Sequence, residues 1–208
     1  MKVLLINGSS KEGCTFTALS EVARSLNEEG IETEIINLGP NAVRDCIGCG
    51  MCSKNGNARC IFDDDIVNRI IEKAEEADGF VFGTPVYYAH PTGRILSVLD
   101  RAFYAGKKAF QFKPGASIAS ARRGGTTASF DVLNKYFTIS QMPVVSSTYW
   151  NNIHGNTPEE VVQDLEGMQT MRTLGHNMAW ILKCIEAGKK AGIDHPIREK
   201  QIKTNFVR

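Results

Sequence analysis

The first 38 residues read as a single strand, loop, helix and strand, and this unit limits the folds open to the rest of the chain. Lys2 to Ile6 is a short apolar run ending in Asn7-Gly8-Ser9-Ser10, and Thr15 to Glu29 carries Phe16, Leu19, Val22, Ala23 and Leu26 at helical spacing. Gly30 stops that helix, and Ile31 to Leu38 alternates as a second strand. Two strands joined through a helix pair in parallel, and a parallel sheet needs helices over both faces.

The pattern then recurs. A cysteine-bearing loop spans residues 41–62, and a helix starting near Asp64 or Asp65 turns Ile66, Val67, Ile70, Ile71 and Ala74 inward. Gly79 to Gly83 reads as a strand buried on both faces, Thr84 to Pro91 as a loop, and Arg94 to Tyr104 as a helix with Ile95, Val98 and Leu99 inward. Ala116 to Ala121 is a fourth strand, Arg122 to Gly125 a glycine-rich loop and Thr126 to Ser140 a helix; Met142 to Val145 is a fifth strand entered through Pro143. From Thr157 a long helical region starts with a threonine cap and Pro158 at its first position, and Gly167 or Gly175 are the places where it can break. The tail from Gly192 to Arg208 is polar and basic, as expected of a surface-lying segment.

This alternation predicts a doubly wound α/β domain over residues 1–150, with residues 151–208 as a helical extension of the same domain. Its ligand crevice falls at the carboxyl ends of strands 1, 3 and 4. The charge balance limits the partners. With 24 Lys and Arg against 23 Asp and Glu, the chain has neither the clustered positive charge of a nucleic-acid binder nor a polybasic membrane patch. The longest apolar run near the start, Val3 to Ile6, is too short for a signal-peptide core, so a cytoplasmic protein with reduced thiols is expected.

The first loop, Gly8 to Thr15, sets small and hydroxyl-bearing residues ahead of a helix amino terminus, where free N–H groups and the helix dipole favour an anion. A triphosphate loop would need lysine where Cys14 stands, and the dinucleotide fingerprint would need glycine at Ser10. Two readings are left. Either Ser9, Lys11, Thr15 and Thr17 with backbone amides hold a mononucleotide phosphate, or Ser9, Ser10 and Thr15 merely cap the helix. Thr84-Pro85-Val86-Tyr87-Tyr88 frames two aromatics able to stack on a flat ring, although both tyrosines also fit core and rim positions. Arg122-Arg123-Gly124-Gly125 brings two guanidinium groups and a closely approachable backbone to the same edge.

Four of the six cysteines, Cys46, Cys49, Cys52 and Cys60, fall in one loop as C-x2-C-x2-C-x7-C. Three thiols in an unbroken run suit a cubane iron-sulfur cluster better than the paired hooks of structural zinc, yet the fourth spacing is not that of bacterial ferredoxins. Zinc, free or reversibly oxidised thiols and a disulfide stay open. Cys14 and Cys184 read as ordinary buried small residues. The four histidines are too scattered for a metal site, Trp150 and Trp180 read as core or interface, and Asp63-Asp64-Asp65 reads as a charge cluster at a helix amino terminus.

Gly8-Ser9-Ser10-Lys11-x-Gly13-x-Thr15, Thr84-Pro85-Val86-Tyr87, Leu99-Asp100-Arg101 and Ser120 to Gly125 together resemble the NADPH-dependent FMN reductase family of flavodoxin-like proteins, over roughly residues 1–150. The resemblance implies a five-stranded parallel sheet of order 2-1-3-4-5. It implies FMN phosphate in the first loop, with the ring between the Thr84 to Tyr88 and Arg122 to Gly125 loops. Ser10, Lys11 and Cys14 depart from the family's usual proline, arginine and asparagine. The cysteine spacing is similar to that of the iron-sulfur flavoproteins, a branch in which this loop binds a 4Fe-4S cluster. The implied activity is transfer of hydride from NADH or NADPH to FMN and of electrons onward to a flavin, quinone or protein acceptor, without a side-chain general base. An electron carrier using FMN and the cluster is the alternative. The methionine-rich last helix and Tyr149-Trp150 point to a homodimer or homotetramer.

Overall fold

In the computed structural model, which describes residues 1–197, 199, 200, 202, 204 and 206, the opening unit forms β1 (Lys2–Asn7), α1 (Cys14–Glu28) and β2 (Glu32–Asn37). Gly30 ends α1 by taking a left-handed φ of 77°. Its N–H donates to the Asn27 carbonyl at 3.0 Å, and that of Ile31 to Leu26 at 3.0 Å. This is the paired closure that satisfies the last carbonyls of a helix.

The chain continues through α2 (Met51–Asn55), α3 (Val67–Glu76), β3 (Gly79–Tyr87), β4 (His90–Pro91), α4 (Gly93–Phe110), β5 (Gly115–Ala121) and α5 (Thr126–Thr138). It ends with β6 (Asn152–His154), α6 (Pro158–Val161) and α7 (Leu165–Lys190). The sheet order is β2-β1-β3-β5-β6, with β4 folded back on β3. Every pairing along that path is parallel. Setting β4 aside as a hairpin return leaves the 2-1-3-4-5 order.

The fifth strand lies elsewhere than its expected place at Met142 to Val145, which contributes only a single bridge between Val144 and Gly115. There the Gly115 N–H donates to Pro143 O and the Val145 N–H to Gly115 O, each at 2.9 Å. The chain then leaves the sheet and returns at Asn151, whose carbonyl accepts from the Ala119 N–H at 3.0 Å. The Asn151 side-chain amide, buried, donates to Ser117 O at 3.0 Å and so replaces a missing ladder bond. One edge strand is thus split into two pieces, and residues 151–208 supply its regular half as well as helices.

The last helical region is also divided differently. Thr157 caps α6, its hydroxyl accepting from the Glu160 N–H at 3.3 Å. The break lies between α6 and α7, where Asp164 caps the second helix by accepting from Gly167 N at 2.9 Å. Gly167 and Gly175 both lie inside α7. At Gly175 the helix crosses α1 so closely that a Cβ would sit 2.6 Å from Ser25 Cβ and 2.9 Å from Val22 O.

Strand residues alternate between two cores. Val3, Leu5, Val81 and Ile118 meet α1 and α7 through Leu19, Val22, Leu26, Met171, Leu174 and Met178. Leu4, Ile6, Phe80 and Phe82 meet α3, α4 and α5 on the opposite face. The second core holds stacked aromatics, with Phe103 and Phe110 centroids 4.3 Å apart and Phe82 and Phe137 5.0 Å apart. Met171 and Met178 of α7 are fully buried in the protein's own core, and Met168 is partly buried against it. Trp180 and Trp150 are exposed, and so is Cys184, against its expected burial. Every described residue beyond Gly192 is exposed, while positions 198, 201, 203, 205, 207 and 208 of the tail lie outside the described residues. No helix among the described residues is long and apolar enough to cross a membrane.

Candidate functional site

Three loops meet at the carboxyl edge of the sheet. The first is organised by Asn7, the last residue of β1. Its Oδ1 accepts from the Ser9 N–H at 3.1 Å, and its Nδ2 donates to Lys11 O at 3.2 Å and to Asn37 Oδ1 at 2.9 Å. The Ser9 hydroxyl accepts from Lys11 N at 3.3 Å. The cap of α1 is Gly13, and no side chain accepts from its first turn. The capping interpretation of Ser9, Ser10 and Thr15 is thereby replaced by an amino terminus whose N–H groups no side chain caps. Thr15 turns inward, its hydroxyl 2.7 Å from that of Ser120 on β5. Thr17 donates to Gly13 O at 3.2 Å. Lys11 is exposed, and its side chain lies back over Gly13, with Cε 3.6 Å from where a Cβ would be. Burial pushes the Cys14 thiol up, which keeps it protonated beside this loop.

The second loop is a hairpin. Val86 pairs with Pro91 and Tyr87 with His90, leaving Tyr88 and Ala89 as a two-residue turn with φ of 51° and 59°. Thr84 is buried, donating to Pro85 O at 2.9 Å and accepting from Thr92 N at 3.1 Å. Thr92 in turn donates to Gly8 O at 2.9 Å and caps α4 by accepting from Ile95 N at 3.3 Å. The Gly8 N–H donates to Gly83 O at 2.8 Å. Hydrogen bonds thus tie the first loop to the hairpin, with Tyr87 and Tyr88 both exposed.

The third loop abuts the hairpin. Gly125 has a φ of 92°, and a Cβ there would stand 2.6 Å from Ala89 Cα and 2.8 Å from Val86 Cγ1. A Cβ at Gly124 would face open space. Arg122 and Arg123 are exposed, and neither forms an ion pair among the described residues. This edge presents uncapped helix amides, a lysine, two arginines and two open tyrosine rings. It can take a ligand with an anionic end and a flat end.

The cysteine loop is a separate site. Gly48, Gly50 and Gly56 adopt left-handed φ of 66°, 67° and 62° with nothing crowding a Cβ, so backbone conformation and not space demands glycine there. These turns fold Cys46, Cys49, Cys52 and Cys60 around one cavity of about 420 Å³, closed on its far side by Asp100, Arg101 and Tyr104 of α4. All four are free thiols. Among the described residues, no three His, Cys, Asp or Glu side chains converge closely enough for a single metal ion. Thiols ringing a cavity suit a group several ångströms across, with sulfurs on different sides, better than the tight tetrahedron of zinc.

Arg101 lines this cavity as well, and Asp65 of the aspartate run pairs with it. Arg101 is 2% exposed. Its Nε donates to Cys60 Sγ at 3.3 Å, and its other nitrogens donate to Arg44 O and Phe62 O, each at 3.2 Å, and to the Asp65 carboxylate. Burial alone would lower its pKa, but the hydrogen bonds to Asp65 and Cys60 outweigh that and raise it. The expected helix-end cluster is three separate pairings: Asp63 with Arg59, Asp64 with Arg44 and Asp65 with Arg101.

A doubly wound parallel sheet of this order, with three loops meeting at its carboxyl edge, defines the flavodoxin-like class of α/β proteins. A solved flavodoxin from the domain Archaea matches with a TM-score of 0.61 at 14% identity, over 88% of this chain and 99% of that one. The family model for NADPH-dependent FMN reductase matches residues 1–157. An iron-sulfur flavoprotein of Methanocaldococcus jannaschii is 34% identical, over 89% of this chain and all of the relative. Another from Methanosarcina thermophila is 29% identical, over 91% of this chain and 99% of the relative. The chain belongs to the NADPH-dependent FMN reductase family, has relatives named iron-sulfur flavoproteins, and is an oxidoreductase of flavodoxin-like fold.

Proposed function

We propose that this protein takes hydride from NADH or NADPH onto bound FMN and passes the electrons onward through a 4Fe-4S cluster held by Cys46, Cys49, Cys52 and Cys60. The observation that carries this reading is the gathering of four thiols on one cavity in a chain that also has an uncapped α1 amino terminus at the carboxyl edge of the sheet. FMN would supply a two-electron acceptor that can also release electrons singly, and the cluster a one-electron store.

The residues have distinct tasks. The Ser9 hydroxyl, Lys11 and the free amides of α1 receive the phosphate, while Thr15 and Thr17 set the helix that carries those amides. Thr84, through Thr92 and Gly8, locks the hairpin of Pro85, Val86, Tyr87 and Tyr88 against the phosphate loop, so that phosphate and ring subsites stay in register. Gly124 and Gly125 bring backbone to the other ring edge, where Arg122 and Arg123 add positive charge beside a flavin that gains electrons.

A second reading, a one-electron carrier with little nicotinamide turnover, draws support from Ile47 and Ile61. Both line the cysteine cavity and are 63% and 52% exposed, an apolar rim suited to brief contact with a protein acceptor. Anaerobic purification, with flavin, iron and acid-labile sulfide counted per chain, tests the cofactor content. Steady-state NADPH oxidation then separates the two readings. Flavin with about four irons and four sulfides per chain is the expected result. Flavin without iron would remove the cluster and leave a simple flavin reductase, and a chain with neither would overturn the proposal. The acceptor class, flavin, quinone or protein, is read from which one sustains turnover.

A further inference from the structure

We propose that Arg101 sets the reduction potential of the cysteine centre, acting as a positioning residue through Cys60 with Asp65 as its counterweight. The inference rests on the cluster reading above and extends it to residues outside the cysteine motif.

A fully buried arginine needs a reason, because removing a guanidinium from water costs several kcal/mol unless charge and hydrogen bonds replace the solvent. Arg101 lies on α4 between Asp100, which lines the same cavity, and the apolar Ala102, and its side chain is 1% exposed. Its single ionic partner among the described residues is Asp65, 9% exposed, and its Nε points at Cys60 Sγ. The carboxylate is itself shared, since Asp65 Oδ1 also accepts from the Val67 N–H at 3.1 Å at the start of α3. Arg101 lies over the Phe62 ring, 5.5 Å from its centroid, on the wall of the same cavity. A simple structural tie between loop and helix would be met by the backbone carbonyls of Arg44 and Phe62. A hydrogen bond to a ligating sulfur adds something those contacts do not.

The relevant step is one electron entering a thiolate-ligated cluster, drawn from reduced flavin in the protein or from dithionite in a titration, with no bond made or broken and no group transferred. The added electron makes the centre more negative. A hydrogen-bond donor and fixed positive charge at one sulfur stabilise that reduced state and raise the potential, and a nearby carboxylate opposes it. Arg101 and Asp65 must therefore act with opposite signs. Arg101→Gln removes the positive charge and lowers the potential, whereas Asp65→Asn removes the opposing charge and raises it. Arg101→Lys keeps the charge but cannot reproduce the planar fork with its Nε–Sγ bond, and gives a smaller fall.

The test is a mediated redox titration of the anaerobic holoprotein, wild type and the three variants, followed by the electron paramagnetic resonance of the reduced cluster, with iron and sulfide counted on each. The expected shift is about tenfold in the reduction equilibrium for Arg101→Gln and Asp65→Asn, about 59 mV for one electron, in opposite directions. A potential belongs to the loaded fraction, so variants that load poorly still report it. If Arg101→Gln loads no iron, Asp65→Asn and Arg101→Lys decide the matter. Loaded variants with the wild-type potential, or both charge changes shifting it the same way, overturn the role of Arg101 while leaving the cluster in place. Absence of iron and sulfide from the wild type overturns the cluster reading and this inference with it.

Discussion

Replacing Gly125 with alanine tests whether the hairpin and the β5 loop form one flavin edge. Gly125 has a φ of 92°, where an L residue is strained by about 1–2 kcal/mol. The added methyl would also meet Ala89 Cα at 2.6 Å. That neighbour is backbone in a tight turn and cannot rotate away, so relief requires moving the hairpin, an overpacking cost of about 1–3 kcal/mol. Together these give a loss of about 2–5 kcal/mol, or roughly 4–20 °C in Tm for a domain of this size. Gly124→Ala is the internal control, since its methyl meets nothing within 4 Å. Thermal unfolding of the apoproteins and fluorescence titration with FMN give the two readouts. Gly125→Ala should lose both stability and at least tenfold in flavin affinity, while Gly124→Ala keeps the wild-type Tm. A Gly125→Ala protein with wild-type Tm and Kd would show that the loops do not depend on each other's position.

Lys11→Glu should weaken FMN binding by about tenfold at low salt and less at high salt, as expected for an exposed charge facing a phosphate; equal affinity at both salts would remove Lys11 from the phosphate site. Gly175→Ala gains about 1 kcal/mol of helix propensity but drives a methyl into Ser25 and the Val22 carbonyl, so a net loss of up to about 2 kcal/mol is expected in denaturant unfolding. A more stable variant would mean that α1 and α7 separate easily. Glu21 joins the same helices, and its carboxyl is held below the usual range first by hydrogen bonding from Arg24 and then from Arg172. Its contribution, about 1 kcal/mol, is complete above an unfolded pKa of about 4.3 and is lost as pH falls through the lower folded value. The stability gap between wild type and Glu21→Gln should thus close on acidification. A gap that persists at low pH would assign the effect to packing.

Periodicity made most of the sheet legible, because strands buried on both faces read as apolar runs and helices reveal their inward stripe. Reading failed where side chains or sequence-distant contacts do the work of backbone. The edge strand broke in two because Asn151 completes the ladder beside Ser117 with its amide, and no local pattern marks an asparagine for that role. Gly167 and Gly175 looked like breaks because their propensity is poor, whereas each is a point of close approach, to Asp164 and to α1 respectively. Met171 and Met178 read as surface candidates because the helix that buries them, α1, lies far away in sequence. If copies of this chain associate, Tyr149, Trp150 and Trp180 are among the exposed aromatic residues available for it.

The site was legible in proportion to how local it is. Four cysteines and the glycines between them can be read in one stretch, and the geometry that brings them onto one cavity follows from those glycines. The wall opposite comes from α4, and there an arginine in an amphipathic helix reads by default as a solvated residue. The aspartate run misled for the same reason, since adjacent carboxylates look like a response to the helix dipole. Their actual partners are Arg59, Arg44 and Arg101, two within the cysteine loop and one on α4, so the run fastens the loop to the helices behind it. The energy is unevenly shared among these pairs. Exposed pairs such as Arg59–Asp63 and Arg44–Asp64 contribute about 0–1 kcal/mol each, whereas removing one partner of a buried pair costs about 3–5 kcal/mol. The buried pair is Asp65 with Arg101, whose Nε donates to Cys60. The residue that most strongly anchors the cysteine loop is thus the one placed to influence the charge on its sulfur.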